Sequence, residues 1–180
     1  MEVAYQDIHR EIVELSIAGN RKAQFQLYKL YSKAMYNICC RMLNSREEAE
    51  DILQEAFAEA FLRLDSFRFE SSFGAWLKRI VINRCINHLK KRRVELNYRE
   101  ELPESSENDE DDPTDIQYEV NKILGAMEKL PDGYRVIFSL YLIEGYDHSE
   151  IAQIMGISES TSKSQFSRAR QKVKEMLNTP

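Results

Sequence analysis

The 180-residue chain is predicted to be all-α, with two helical domains joined by an acidic flexible linker and the C-terminal domain carrying a helix-turn-helix. Three observations predict this. Apolar residues recur at i, i+3, i+4 and i+7 over long stretches, while the period-two alternation of strands is absent. The run from Glu100 to Pro113 has almost no apolar side chain, carries two prolines and repels itself, so burial cannot offset the entropy of ordering it. Residues 147–174 place a capped helix, a glycine turn and a basic helix in succession. The implied boundaries are 1–93 for the first domain, 94–116 for the linker and 117–180 for the second, both domains being long enough to fold as helical units.

In the first domain, the segment Ala23 to Leu43 sets Leu27, Tyr28, Tyr31, Ala34, Met35, Ile38, Cys39 and Met42 on one face. Ser45 and Glu48, at capping-box spacing, start the next helix. Its apolar face runs through Ala49, Ile52, Leu53, Ala56, Phe57, Ala60, Phe61 and Leu64, leaving Asp51, Gln54 and Glu55 together on the opposite side. The two helices are expected to pack on each other. A third helix, Trp76 to Lys91, is apolar around most of its circumference and keeps one polar stripe, Arg79, Asn83, Asn87 and Lys90. Asparagine both donates and accepts and cations attract phosphate, so this stripe is a candidate surface for base edges and backbone. An exposed face that is polar for no further reason is the plainer alternative. The preceding loop, residues 64–74, holds Phe67, Phe69 and Phe73. Phe67 and Phe73 read as core anchors, which leaves Arg68, Glu70, Ser71 and Ser72 to face a ligand. Aromatic loops beside a basic helix suit unstacked bases.

In the second domain, Asp147 and Glu150 form a capping box; Ile151, Ala152, Ile154 and Met155 supply the buried side of a short helix. Gly156 can adopt the left-handed conformation that stops it, and Ser158 can cap the helix that follows. That helix buries Ser162, Phe166, Ala169, Val173 and Met176. Elsewhere it presents Lys163, Ser164, Gln165, Ser167, Arg168, Arg170, Lys172 and Lys174. This is the arrangement that offers a helix to the major groove.

The net charge of -5 points away from nucleic acid until it is divided. Residues 1–93 hold 16 Lys+Arg against 12 Asp+Glu, residues 94–119 hold 1 against 11, and residues 120–180 hold 8 against 7. The acidity is confined to the linker region. Residues 75–93 and 160–174 contain no acid at all, and each is a plausible phosphate-binding surface.

Several classes are set aside by the same residues. Cys39, Cys40 and Cys85 are too few and badly spaced for a zinc site, so no metal is expected, and Cys39 with Cys85 reads as packing between core helices. No phosphate-binding glycine motif or nucleophile elbow occurs, so no cofactor is expected. Asp51 with Glu55 is the lone carboxylate pair that could suggest a nuclease, and it has no partner acids; the expectation is not an enzyme. With neither a signal peptide nor a membrane-length apolar run, a reduced, cytoplasmic chain without membrane insertion is expected, ending at Pro180 with no fused regulatory domain.

The order of these features resembles the extracytoplasmic-function (ECF, group 4) bacterial sigma factors of the sigma-70 family. Glu48 to Phe57 is similar to the helix with which that family docks on RNA polymerase. Phe67 to Phe73 and Trp76 to Asn83 resemble its promoter-melting loop and minus-ten-reading helix, and Leu130 to Arg135, Glu144 to Tyr146 and Ile151 to Arg170 resemble its minus-thirty-five domain. The resemblance implies core RNA polymerase and promoter DNA as partners, and allows an anti-sigma factor as a third. It implies that Asp51, Gln54 and Glu55 contact the clamp coiled coil of the largest polymerase subunit, and that Arg68, Glu70, Ser71 and Ser72 capture a flipped non-template base. Arg79, Asn83, Asn87 and Lys90 would then serve the adjacent minus-ten element, and Lys163, Ser164, Ser167, Arg168 and Arg170 the minus-thirty-five element. The acidic linker would thread toward the polymerase cleft. Ser162, Ser160 and Gln165 depart from the family's usual valine, glycine and arginine, and without that arginine the expected affinity of the second domain alone is lower. The alternative is a stand-alone LuxR-like helix-turn-helix regulator, whose N-terminal half should contain strands.

Overall fold

A computed structural model of the chain describes residues 8–96 and 116–178, with side chains for 8–93 and 120–178. The predicted linker, 94–116, lies outside the described residues except at its ends, where flanking helices continue to Leu96 and begin at Ile116. Eight α-helices and a single 3-10 turn are the regular elements of the described residues, which contain no strand. The chain divides into two compact units, Met1–Lys90 and Lys91–Pro180.

Among the described residues, the first helix of the first unit is α1 (Arg10–Ile17), an element that the periodicity from Ala23 onward does not predict. Asn20 caps α2 (Arg21–Leu43), accepting from the amides of Lys22 and Ala23, and Asn44 ends it in the left-handed conformation that asparagine tolerates. Ser45 then caps α3 (Arg46–Leu62) through the Glu48 amide. As predicted, α2 and α3 pack together, with the rings of Tyr28 and Phe57 edge to face at 4.9 Å. Ala34 is a correction: expected on the buried face, it is exposed, because the interior is already filled by Leu27, Met35, Ile38, Cys39 and Met42. After the 3-10 turn (Leu64–Ser66) and the loop comes α4 (Phe73–Leu96). Leu77, Ile80, Val81, Ile82, Cys85, Ile86 and Leu89 are all buried, as its wide apolar circumference requires. The Cys85 thiol is pushed strongly up by a hydrogen bond with Cys39 and by burial, which fits two packed, unreactive thiols.

The second unit contains α5 (Ile116–Glu128), α6 (Asp132–Leu142), α7 (His148–Met155) and α8 (Glu159–Asn178). Its core joins Ala126, Met127 and Leu130 to Tyr134 and Phe138 of α6 and to Ala169 and Val173 of α8. Arg135 is buried within α6. One nitrogen of its guanidinium donates to the Leu130 carbonyl at 2.8 Å and another to Asp132, so no charge is left unpaired. The capping box at Asp147 and Glu150 forms in both directions, and Gly156 closes α7 at φ 68°.

Candidate nucleic-acid interface

The site of the first unit is built on one loop and one helix. Ser72 starts α4 by accepting from the Ala75 amide at 3.1 Å, so of the four polar loop residues it has a structural task as well. Phe73 is fully buried and Phe67 nearly so, as anchors should be. Phe67 packs on Phe73 (5.8 Å between ring centres) and on Trp76 (5.3 Å), and Phe73 meets Tyr31 at 5.3 Å. Gly74 permits this last approach, since a Cβ there would lie 2.8 Å from a Tyr31 ring carbon. Arg68, Glu70 and Ser71 are left exposed around this aromatic platform.

Phe69 is the residue that periodicity does not assign. Its φ is +57°, a left-handed conformation that costs a bulky L-residue about 1–2 kcal/mol. In return its ring packs on Phe67 at 4.7 Å, and the Arg10 guanidinium of α1 lies over its face at 4.6 Å from the centroid. Aromatic pairs contribute about 0.5–1.5 kcal/mol. An exposed cation–π contact adds about 0.5–1 kcal/mol, so strain and contacts are close to balance.

On α4 the stripe of Arg79, Asn83, Asn87 and Lys90 lies along one side. Asn83 and Asn87 are exposed and have no hydrogen-bond partner among the described residues. Arg79 is half-buried, Lys90 exposed, and both have contacts within the chain. From an adjacent face of α4, polar side chains reach the acidic residues of α3. Arg84 donates to Glu59 at 2.5 Å and to Glu55 at 3.2 Å, and His88 Nε2 lies 3.2 Å from Glu48. The Arg84 hydrogen bond outweighs the opposing effect of burial and, with a further hydrogen bond from Arg63, holds the Glu59 carboxyl below the usual carboxylate range.

This network separates the three candidate docking residues of α3. Asp51 and Gln54 are exposed with no polar partner among the described residues, whereas Glu55 is partly engaged by Arg84. The row they start continues through exposed Ala58 to Leu62, which is 84% exposed. The sequence pattern counts Arg84 only among the cations of the acid-free stretch 75–93 and assigns no role to Leu62. Leucine at i+7 and i+11 from Glu55 and Asp51 is the available signal for the second; nothing local points to the pairing of the first with α3.

In the second unit, α8 turns its basic side outward. Ser158 caps the helix through the Thr161 amide at 3.1 Å, and Ser162 is buried, meeting His148 Nδ1 at 2.8 Å. His148 stacks on Tyr141 at 4.6 Å, and burial followed by the nearby Lys163 charge lowers its pKa. This ties the first residue of α7 to the recognition helix. Lys163 is exposed and forms an i,i+4 ion pair with Glu159 at 2.8 Å, a hydrogen bond that raises its pKa. Ser164 is exposed and donates back to the Thr161 carbonyl. Ser167 is exposed and Arg168 half-buried, neither with a polar partner among the described residues; Arg170 is half-buried with contacts of its own. No cluster of potential metal ligands occurs among the described residues, and none of their helices is long and apolar enough to cross a membrane.

Two helical units, one with a polar stripe beside an aromatic loop and the other with a helix-turn-helix, define a DNA-binding protein. Residues 27–95 match Sigma-70 region 2, and residues 121–173 match Sigma-70, region 4. The ECF RNA polymerase sigma factor SigM of Bacillus subtilis (strain 168) is 31% identical over 154 residues, covering 85% of this chain and 94% of that one. SigW of the same organism, another ECF RNA polymerase sigma factor, is 30% identical over 171 residues, covering 88% and 91%. Among solved structures, the sigma factor RpoE in complex with the anti-sigma factor NepR from Bartonella quintana matches with TM-score 0.58 and 25% identity, over 86% of this chain and 96% of that one. The chain belongs to the ECF RNA polymerase sigma factors of the sigma-70 family. It is a promoter-recognising initiation factor and not an enzyme, and the LuxR-like alternative falls with the match of its first unit to region 2.

Proposed function

We propose that this sigma factor docks on core RNA polymerase through Asp51, Gln54 and Glu55. On that reading it opens the minus-ten element with the loop residues Arg68, Glu70, Ser71 and Ser72 and with Arg79, Asn83, Asn87 and Lys90 of α4. It reads the minus-thirty-five element with Lys163, Ser164, Ser167, Arg168 and Arg170 of α8. Residues 1–93 would carry the first two tasks, residues 117–180 the third, and 94–116 the tether. The cell compartment is the cytoplasm, where the polymerase works. An anti-sigma factor is a further partner, supported by the RpoE relative being bound to NepR.

One observation carries the minus-ten assignment. Asn83 and Asn87 are exposed amides without partners among the described residues, in line on a helix whose other faces are largely buried, beside a loop whose polar residues stand around an aromatic platform. An extruded base requires stacking and edge hydrogen bonds, and its capture offsets the few kcal/mol of unstacking. The test is in vitro transcription by purified chain and core polymerase from a promoter-containing genomic fragment library. Discrete start sites sharing upstream elements are expected; failure to initiate anywhere above core polymerase alone refutes the assignment.

A further inference from the structure

We propose that Arg10 and Phe69 form a latch that holds the loop of residues 67–72 in its base-capturing shape, which makes Arg10 of α1 a positioning residue for promoter melting. The proposal rests on the reading of that loop as the pocket for an extruded base. Arg10 lies outside residues 27–95, so the match to region 2 does not reach it.

Three features support the latch. The first is the backbone at Phe69. In an extended loop, successive side chains alternate, which would set Phe67, Phe69 and Ser71 on one face and Arg68 and Glu70 on the other. At φ +57° the chain turns back instead, so that Phe69 folds onto Phe67 while Arg68, Glu70 and Ser71 all remain exposed. Left-handed backbone is unfavourable for phenylalanine, and such strain persists only where surrounding contacts over-determine it. The second is the contact that does so from outside the loop. Arg10 presents the flat of its guanidinium to the Phe69 ring at 4.6 Å, while its Nε donates to Glu14 at 2.8 Å, which fixes the plane of the group. The third is the anchoring of α1 itself at the same end. His9 Nδ1 and the Tyr31 hydroxyl are 2.7 Å apart, and Tyr31 packs on Phe73, the first residue of α4. The entry of α1 and the entry of α4 are thereby held by one aromatic cluster, with the loop between them.

A loop held this close to balance has a relaxed alternative within reach, and removing one stabilising interaction shifts its population. Deleting an exposed cation–π pair corresponds to about a two- to fivefold shift. The measured quantity is the ratio of holoenzyme affinities for pre-melted promoter templates with an intact minus-ten non-template strand and with single abasic substitutions across it. Wild type, Arg10→Ala, Arg10→Lys, Phe69→Gly and the double variant Arg10→Ala/Phe69→Gly are compared. Arg10→Ala should lower the largest ratio about two- to fivefold, Arg10→Lys should restore most of it, and the double variant should lose no more than Phe69→Gly alone, because the two residues act through one interaction. In the free chain, Trp76 is the single tryptophan and lies against Phe67, so Arg10→Ala should change its quenching by acrylamide. A wild-type ratio in Arg10→Ala, or fully additive losses in the double variant, overturns the latch. Arg68→Ala and Ser71→Ala separate that failure from a deeper one. If they lower the ratio and Arg10→Ala does not, the pocket stands and the latch is wrong; if neither lowers it, the loop is not a base pocket and both readings fail together.

Discussion

Replacing Asn83 and Asn87 by alanine should remove minus-ten base discrimination without weakening the fold. Both side chains are exposed and neither makes a hydrogen bond among the described residues, so their truncation leaves no buried group unsatisfied and no cavity. Alanine is also the better helix former, by up to about 0.7 kcal/mol per residue, which makes the double variant at least as stable as wild type. Against that, a specific hydrogen-bonded pairing of a side chain with a base edge is worth roughly 1–3 kcal/mol, so each asparagine removed should weaken affinity about five- to 150-fold. Stability and function should therefore move in opposite directions, which a merely structural role cannot produce. The assay uses permanganate reactivity and equilibrium binding on two templates, one fully duplex and one pre-melted in the minus-ten region, each with matched and mutated minus-ten bases. The variant should open the duplex template poorly, and on the pre-melted template it should bind matched and mutated bases almost equally. If it still discriminates there as wild type does, the stripe does not read bases.

Three other perturbations follow from the same geometry. Reversing Asp51 and Glu55 to lysine should abolish capture of core polymerase with an unchanged circular dichroism spectrum, and Asp51→Lys alone should have the larger single effect because Glu55 is already partly engaged by Arg84. Removing Lys163 and Arg168 together should weaken closed-complex binding to duplex upstream DNA and make the slope of log affinity against log salt shallower by about 0.9 for each phosphate no longer neutralised. Arg168 should contribute more, because Lys163 must first leave its ion pair with Glu159; equal slopes in wild type and the double variant would show that neither side chain meets a phosphate. Glu59 has a folded pKa below its unfolded value, so its contribution is present above the ordinary glutamate pKa and fades as pH falls through the depressed one; Arg84→Met should flatten that acid limb in urea titrations run below about pH 5, and an unchanged limb would show that the pair contributes nothing to stability.

Legibility in the sequence follows the range of the interactions involved. The capping box at Asp147, the left-handed Gly156 and the serine cap at Ser158 depend on residues three or four apart, and each can be read directly. The buried faces of α3 and α8 and the stripe on α4 likewise depend only on helical period. α1 escapes such a reading because the eight residues from Arg10 to Ile17 are too short for a persuasive period and bury only Val13 and Ser16. Ala34 misleads because its position in the period is apolar and alanine satisfies the pattern without needing burial.

The site details that the pattern does not reveal share one cause, which is that each joins segments no local spacing connects. Arg84 is 25 residues from Glu59 and 29 from Glu55, and as a cation in an acid-free helix it looks like one more phosphate ligand. In the folded chain it faces the acidic side of α3 and pairs there with Glu59 and Glu55. Phe69 lies among three phenylalanines with nothing to mark it, since a positive φ in a residue other than glycine is stabilised from outside, here by Arg10. The residues proposed to meet a ligand are therefore visible as exposed polar groups at helical spacing, while those that aim them are not. A sequence pattern records which side chains a helix can present; the contacts of Arg84 with Glu55 and Glu59 and of Arg10 with Phe69 join segments that no such pattern connects.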